Sequence, residues 1–152
     1  MNVYYEGQVI WAQLDANQHM RHSAYADVAA QARLNLLESL GSMPTKLFEL
    51  KIGPVLFKEE LNYLREITIN DHVKVTCEVI SSRADSSRWT FRQEVYRGDG
   101  VKAAVIIVQG AWIDTIKRKL TPLPAELSEL FTKAPKSDDY VEELPKSQNQ
   151  HK

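Results

Sequence analysis

Only one stretch of this chain carries a long helical repeat, and it sets the terms for everything around it. From Tyr25, apolar side chains recur at Val28, Ala29, Ala32, Leu36, Leu37 and Leu40, the three-and-four spacing that lines one face of an α-helix. Asp27, Gln31, Arg33, Asn35 and Glu38 fill the other face. Ser23 is placed to cap the start, since its hydroxyl can accept from a free backbone N–H, and Asp27 then lies near the positive end of the helix dipole. Gly41 supplies the stop, with Ser-Met-Pro behind it.

An apolar stripe of that length must be buried, and most of the remaining sequence offers strands to bury it. Val73 to Val79 alternates Val, Val, Cys, Val with Lys, Thr, Glu, and Arg88 to Tyr96 alternates Trp89, Phe91, Gln93 and Val95 with Thr90, Arg92 and Glu94. Arg97 to Gly100 reads as a hairpin turn. Val101 to Asp114 is apolar on both faces, as expected of a strand covered on both sides. Tyr4 to Gln13 and Gly53 to Ile67 are further strands, with a turn at Asn70–Asp71. Thr121 to Phe131 makes a short helix opened by prolines. From Ala134 the chain is mostly polar, and the expectation is one domain over residues 1–133 with a disordered or loosely docked tail over 134–152. The fold class implied is α+β: a single long helix laid across a mostly antiparallel sheet.

Composition narrows the function classes. A chain of 152 residues with 43% hydrophobic and 26% charged residues suits one globular domain. A net charge of -1 gives no general reason to expect nucleic acid or a membrane surface as partner. The longest apolar run, Ala103 to Val108, falls far short of the roughly 20 residues a membrane span needs. The first residues lack the pattern of a signal peptide, and Cys77 is the only cysteine, which excludes an intrachain disulfide and a cysteine-based metal site. A cytoplasmic enzyme or binding protein is expected.

The polar chemistry is concentrated directly before the long helix, where Asp15, Asn17, Gln18, His19 and His22 crowd together. The first turn of a helix presents free N–H groups that can bind a developing negative oxygen, and a carboxylate folded back over that end stays ionised in the field of the dipole. Each residue also has a plain structural reading: Asp15 as a loop or cap residue, Asn17 as a turn residue, His19 as a loop support, Tyr25 as core. A zinc site from Asp15, His19 and His22 lacks the His-x-x-x-His pair on one helical face; no metal and no separate cofactor are expected.

The run Asp15-Ala-Asn-Gln-His19-Met20-Arg21-His22-Ser-Ala-Tyr25, continuing to Gln31-Ala-Arg33, resembles the hotdog-fold acyl-CoA thioesterases of the 4-hydroxybenzoyl-CoA type. The long-chain variants with Gln-His in the motif are the nearest in pattern. The stretch with Tyr63-Leu64-Arg65 resembles the second and third strands of that family, and Gly110 to Pro124 its last strand and exit. The departures are Gln18 for the family glycine, Arg21-His22 for Asn-Asn and Gln31 for the helix glutamate. If the loop needs positive φ at residue 18, Gln bears a strain that Gly avoids.

The resemblance implies a hotdog fold, one long helix wrapped by a five-stranded antiparallel sheet with a short C-terminal helix. It implies thioester hydrolysis, with Asp15 as nucleophile or general base and the His22 backbone N–H as oxyanion donor, His19 and Tyr25 standing beside them. Trp11, Met20, Leu56 and Phe57 are candidates for an acyl pocket. Arg83, Arg88, Lys117 and Arg118 (with Lys119) are candidates for the phosphates of coenzyme A, which is substrate here and not cofactor. The resemblance also implies a homodimer or homotetramer with sites between subunits. Val101 to Asp114, being apolar on both faces, is consistent with burial by a partner. Two other functions use the same residues: a non-catalytic acyl-CoA-binding module, and an enoyl-CoA hydratase or dehydratase working through Asp15 and His19.

Overall fold

A computed structural model describes residues 1–144. The long helix, α1, runs His22–Ser39 and buries the expected stripe: Tyr25, Val28, Ala29, Ala32, Leu36, Leu37 and Leu40 all lie in the core. Its start differs from the sequence expectation. Arg21, not Ser23, is the capping residue, in extended conformation at φ -66 and ψ 148. Arg21 is held there by its N–H on the Gln13 carbonyl at 2.7 Å and its guanidinium on the Ala12 carbonyl at 3.0 Å. The chain therefore turns helical before Ser23 can cap it, and Asp27 falls in the second turn, 3.7 Å from Arg21. At the other end Gly41 takes φ +82, a left-handed conformation that costs glycine nothing.

The sheet wraps this helix. Its strands are β1 (Val3–Gln8), β2 (Ile52–Tyr63), β3 (His72–Thr76), β4 (Glu78–Arg83), β5 (Arg88–Arg97), β6 (Lys102–Asp114), the short β7 (Lys119–Leu120) and β8 (Lys136–Glu143). β3 and β4 are one extended stretch interrupted at Cys77, and both pair with β5, β3 through Val75↔Val95 and β4 through Val79↔Phe91. Counting them as one gives the expected five antiparallel strands in the order β2, β6, β5, β3/β4, β1. β7 and β8 are additions to that frame. Val73, Val75, Cys77 and Val79, and across from them Trp89, Phe91, Gln93 and Val95, all point into the core, as their period-two alternation requires.

β6 lies in the middle of the sheet, between β2 and β5; one face is buried through Ala104, Ile106, Val108 and Trp112, while on the other Val105 and Ile107 are half-buried and Gln109 is exposed. Four expectations need correction. β1 ends at Gln8, and Trp11–Gln13 form a 3-10 turn where strand was expected. A second helix, α2 (Met43–Glu49), follows the first with Met43 and Leu47 buried, and α3 is confined to Ala125–Phe131.

The fourth concerns the tail. Residues 136–143 form β8, which lies parallel to β4. The strand has little apolar surface and is held by side chains. Arg92 grips Asp139 in a bidentate pair at 3.1 Å, and the Tyr140 and Ser82 hydroxyls meet at 2.7 Å. Arg83 and Glu143 stand 3.5 Å apart. The remainder of the expected tail, 145–152, lies outside the described residues.

Candidate active site

The loop before α1 is a closed turn. The Leu14 and Met20 backbones bridge, the Asp15 N–H donates to the His19 carbonyl at 2.8 Å, and the Gln18 N–H donates to the Asp15 carbonyl at 3.1 Å. Closing the chain this tightly puts Gln18 at φ 61, the left-handed conformation foreseen for the residue in the glycine position. Asp15 Oδ1 accepts from the N–H groups of Asn17 at 2.8 Å and His19 at 3.1 Å. Asn17 is thus a turn residue. No described residue donates to Oδ2. The turn is stitched to the segment after β2 by a His19–Thr68 bridge and by the Met20 N–H on the Ile67 carbonyl at 2.6 Å.

These constraints place Asp15 over a cleft of about 360 Å³ at the amino end of α1. It is lined by Asp15, His19, Met20, His22 and Tyr25 on one side and Tyr63, Leu64, Arg65 and Glu66 on the other. The N–H groups of His22 and Ser23 have no acceptor among the described residues, as the open first turn of a helix requires. Tyr25 is buried, with its ring edge-on to Tyr63 at 5.1 Å. Burial, then the neighbouring Tyr63, Glu66 and Asp15, push its phenol pKa up, so it stands as a neutral hydroxyl. The Tyr63 hydroxyl donates to the His22 carbonyl at 3.3 Å, joining the two walls.

The sequence-level candidates divide into those the cleft gathers and those it does not. Asp15, His19, Met20, His22 and Tyr25 come together. Trp11 does not: it is 84% exposed on the 3-10 turn. Leu56 lines a separate apolar cavity between α1 and the sheet. Phe57 and Arg88 line another cleft, with the guanidinium 5.1 Å from the centre of the Phe57 ring. Arg83 lines two clefts flanking the Ala84–Ser87 turn; Lys117 and Arg118 are exposed in the turn between β6 and β7, and Lys119 is exposed at the start of β7. Tyr63, Leu64, Arg65 and Glu66 were missed as site residues, although Tyr63-Leu64-Arg65 carried part of the resemblance; they sit where β2 ends and the chain turns past the mouth of α1. Gln31 turns to Asn35 at 2.9 Å, leaving Arg33 to donate to Gln93 at 2.8 Å. Among the described residues no group of three or more His, Cys, Asp or Glu side chains is placed to hold a metal, and no helix is long and apolar enough to cross a membrane.

Known structures share this fold. The SAV2348 protein of Staphylococcus aureus, solved in complex with CoA, superposes with a TM-score of 0.80 at 17% identity, over 99% of this chain and 93% of that one. A DHNA-CoA thioesterase from Staphylococcus aureus gives 0.79 at 21% identity, over 87% and 89%. A 1,4-dihydroxy-2-naphthoyl-CoA thioesterase from Synechocystis gives 0.74 at 17%, over 85% and 94%. Among curated proteins none matches this sequence. The fold is the hotdog fold. Residues 9–131 match the family described as the thioesterase-like superfamily, and the chain belongs to it.

Proposed function

We propose that the protein is an acyl-CoA thioesterase, hydrolysing an acyl thioester to a carboxylic acid and free coenzyme A. The observation that carries this reading is the pairing, on one cleft, of a carboxylate with a free oxygen and a helix start with free N–H groups. The thioester carbonyl oxygen lies against the His22 and Ser23 N–H groups, where charge developing in the transition state is stabilised by roughly 3 kcal/mol per donor. Asp15 Oδ2 acts on the carbonyl carbon, either directly, giving an anhydride that water then opens, or through a water that it deprotonates. In both routes the carbon–sulfur bond breaks and coenzyme A leaves as the thiol. Tyr25, neutral, offers a hydroxyl at the cleft wall, and His19 holds the turn through its backbone.

Similarity to a protein solved with CoA, and to thioesterases named for aromatic acyl-CoA substrates, supports coenzyme A as the carrier. Arg83 and Arg88 (with Lys117 and Arg118) are assigned to its phosphates. The working form is a homo-oligomer, dimer or tetramer: among the described residues β2 pairs with β6 alone and exposes Leu56, Phe57 and Tyr63, an edge that a second copy can cover. The test is release of free thiol from a panel of short, long and aromatic acyl-CoAs, with Asp15→Asn alongside. Hydrolysis by the wild type that vanishes in the variant is expected. A fully active variant would remove Asp15 from the mechanism, and an inert wild type that binds acyl-CoA would favour a binding module.

A further inference from the structure

Among the described residues, the amino end of α1 leaves only the His22 and Ser23 N–H groups open over the cleft, because the Ala24 N–H is taken by the Arg21 carbonyl at 2.9 Å. The cleft holds a further unspent donor. Tyr25 is 4% exposed, yet its hydroxyl makes no hydrogen bond among the described residues. A buried donor left unpaired is costly unless a ligand atom meets it, so these donors together mark where a ligand oxygen sits. What sets their strength lies behind them, on the far side of each peptide.

An N–H and the carbonyl of the residue before it belong to one planar, resonant peptide group. A hydrogen bond accepted by that carbonyl draws charge from the nitrogen and makes the N–H a stronger donor, by about 10–30% per bond. The His22 N–H shares its peptide with the Arg21 carbonyl, which accepts from Ala24. The Ser23 N–H shares its peptide with the His22 carbonyl, and the group that reaches this carbonyl from the facing wall is the Tyr63 hydroxyl at 3.3 Å. Within the helix the same carbonyl serves the Ala26 N–H. An oxygen with two lone pairs accepts both, and sharing it fits the length of the Tyr63 contact. The phenol is held from two sides: the Tyr63 backbone pairs with Ala104 on the central strand β6, and its ring stands edge-on to Tyr25 at 5.1 Å. The contact lies against α1, so it asks nothing of the exposed part of Tyr63 and does not depend on whether a second copy covers the β2 edge.

We propose that Tyr63 is a positioning residue of the cleft: its hydroxyl, acting through the His22–Ser23 peptide, strengthens the Ser23 N–H as a donor to the oxygen bound there. That this oxygen is a thioester carbonyl rests on the thioesterase reading; the polarisation of the amide does not. Negative charge on the oxygen develops only in the transition state, so the gain falls on kcat and leaves KM alone. One such donor is worth roughly 10²–10³-fold in rate, and strengthening it by about 10–30% amounts to about two- to eightfold.

The experiment compares the full chain with its Tyr63→Phe variant, which keeps the ring against Tyr25 and removes only the hydroxyl. Proton–nitrogen correlation spectra read each amide separately. In the variant the Ser23 amide proton is expected to move upfield, while that of His22, whose peptide Tyr63 does not touch, stays in place. Thiol release from the acyl-CoA panel is expected to fall about two- to eightfold in kcat, with KM and melting temperature unchanged. An unmoved Ser23 proton overturns the proposal whatever the kinetics. So does an unchanged kcat in a protein that hydrolyses acyl-CoA. A variant that loses stability and substrate binding together also overturns it, since that pattern marks a structural role. If the wild type hydrolyses no acyl-CoA, the thioesterase reading fails, and the Ser23 resonance alone decides whether Tyr63 polarises the amide.

Discussion

Asp15 and His19 are tied to each other twice: the His19 amide donates to the Asp15 carboxylate at 3.1 Å, and the Asp15 amide donates to the His19 carbonyl at 2.8 Å. One carboxylate oxygen therefore shapes the turn while the other, on a residue that lines the cleft, has no donor among the described residues. The two duties separate by substitution. Asn at position 15 keeps an oxygen that can accept from Asn17 and His19, so Asp15→Asn should unfold near the wild-type temperature yet lose thiol release by roughly 10²–10⁴-fold. Asp15→Ala should lose the activity and, with both acceptor contacts gone, about 1–2 kcal/mol of stability. Thermal unfolding beside a thiol assay measures both; equal stability of the two variants would mean that the turn does not depend on this carboxylate.

Gln18 sits at φ 61, where a side chain costs about 1–2 kcal/mol that glycine avoids, against glycine's extra unfolded-state entropy of about 0.5–1 kcal/mol. Gln18→Gly should raise the melting temperature by roughly 1–3 °C, and Gln18→Val should lower it. Calorimetry decides; a lower melting temperature for the glycine variant would show that the Gln18 side chain makes contacts outweighing the strain.

Asp139 is held at a pKa of about 2, below its ordinary 3.8, mainly by its hydrogen bonds to Arg92. A carboxyl whose pKa is lower folded than unfolded stabilises the fold above its unfolded value, and loses that contribution as pH falls toward the folded one. β8 should therefore loosen between about pH 4 and pH 2. Hydrogen exchange of the β8 amides should accelerate over that window in the wild type, and Asp139→Asn should exchange fast already at neutral pH. Unchanged protection in the variant would show that the strand does not rely on this pair.

Gly110 leaves no room for a methyl group between Trp89 and the Val55 carbonyl. Since the carbonyl belongs to the paired strand, neither neighbour can yield cheaply, and Gly110→Ala should cost about 1–3 kcal/mol and shift tryptophan emission. Chemical denaturation gives the first quantity, and a loss below about 0.5 kcal/mol would mean that Trp89 can move aside.

Most of this fold was legible because it is written in periods. The stripe from Tyr25 to Leu40 and the alternation of β3 and β5 needed no tertiary knowledge. α2 escaped because it is short, with Met43 and Leu47 as its only buried anchors, and β8 because polar pairs hold it in place of an apolar period. At the site, Asp15, His19, Met20, His22 and Tyr25 were readable as one local cluster. Their facing wall from Tyr63 to Glu66 was not, since only the register of β2 on β6 brings it there. The exposure of Trp11 was hidden for a related reason: an indole is as apolar in sequence when it faces water as when it lines a pocket.

The interruption at Cys77 lets two distant parts of the chain flank a single line of the sheet. The Cys77 amide donates to the Asn2 carbonyl at 3.0 Å, and the Val79 amide donates to the Pro135 carbonyl at 2.9 Å. During synthesis, which proceeds from the amino end, β3 meets a neighbour already made, whereas β4 must wait for a strand translated more than fifty residues later. Until Lys136–Glu143 emerges, the outer ladder of β4 is an open template for other nascent chains. Chains arrested before β8 should accordingly scatter light where completed ones stay clear.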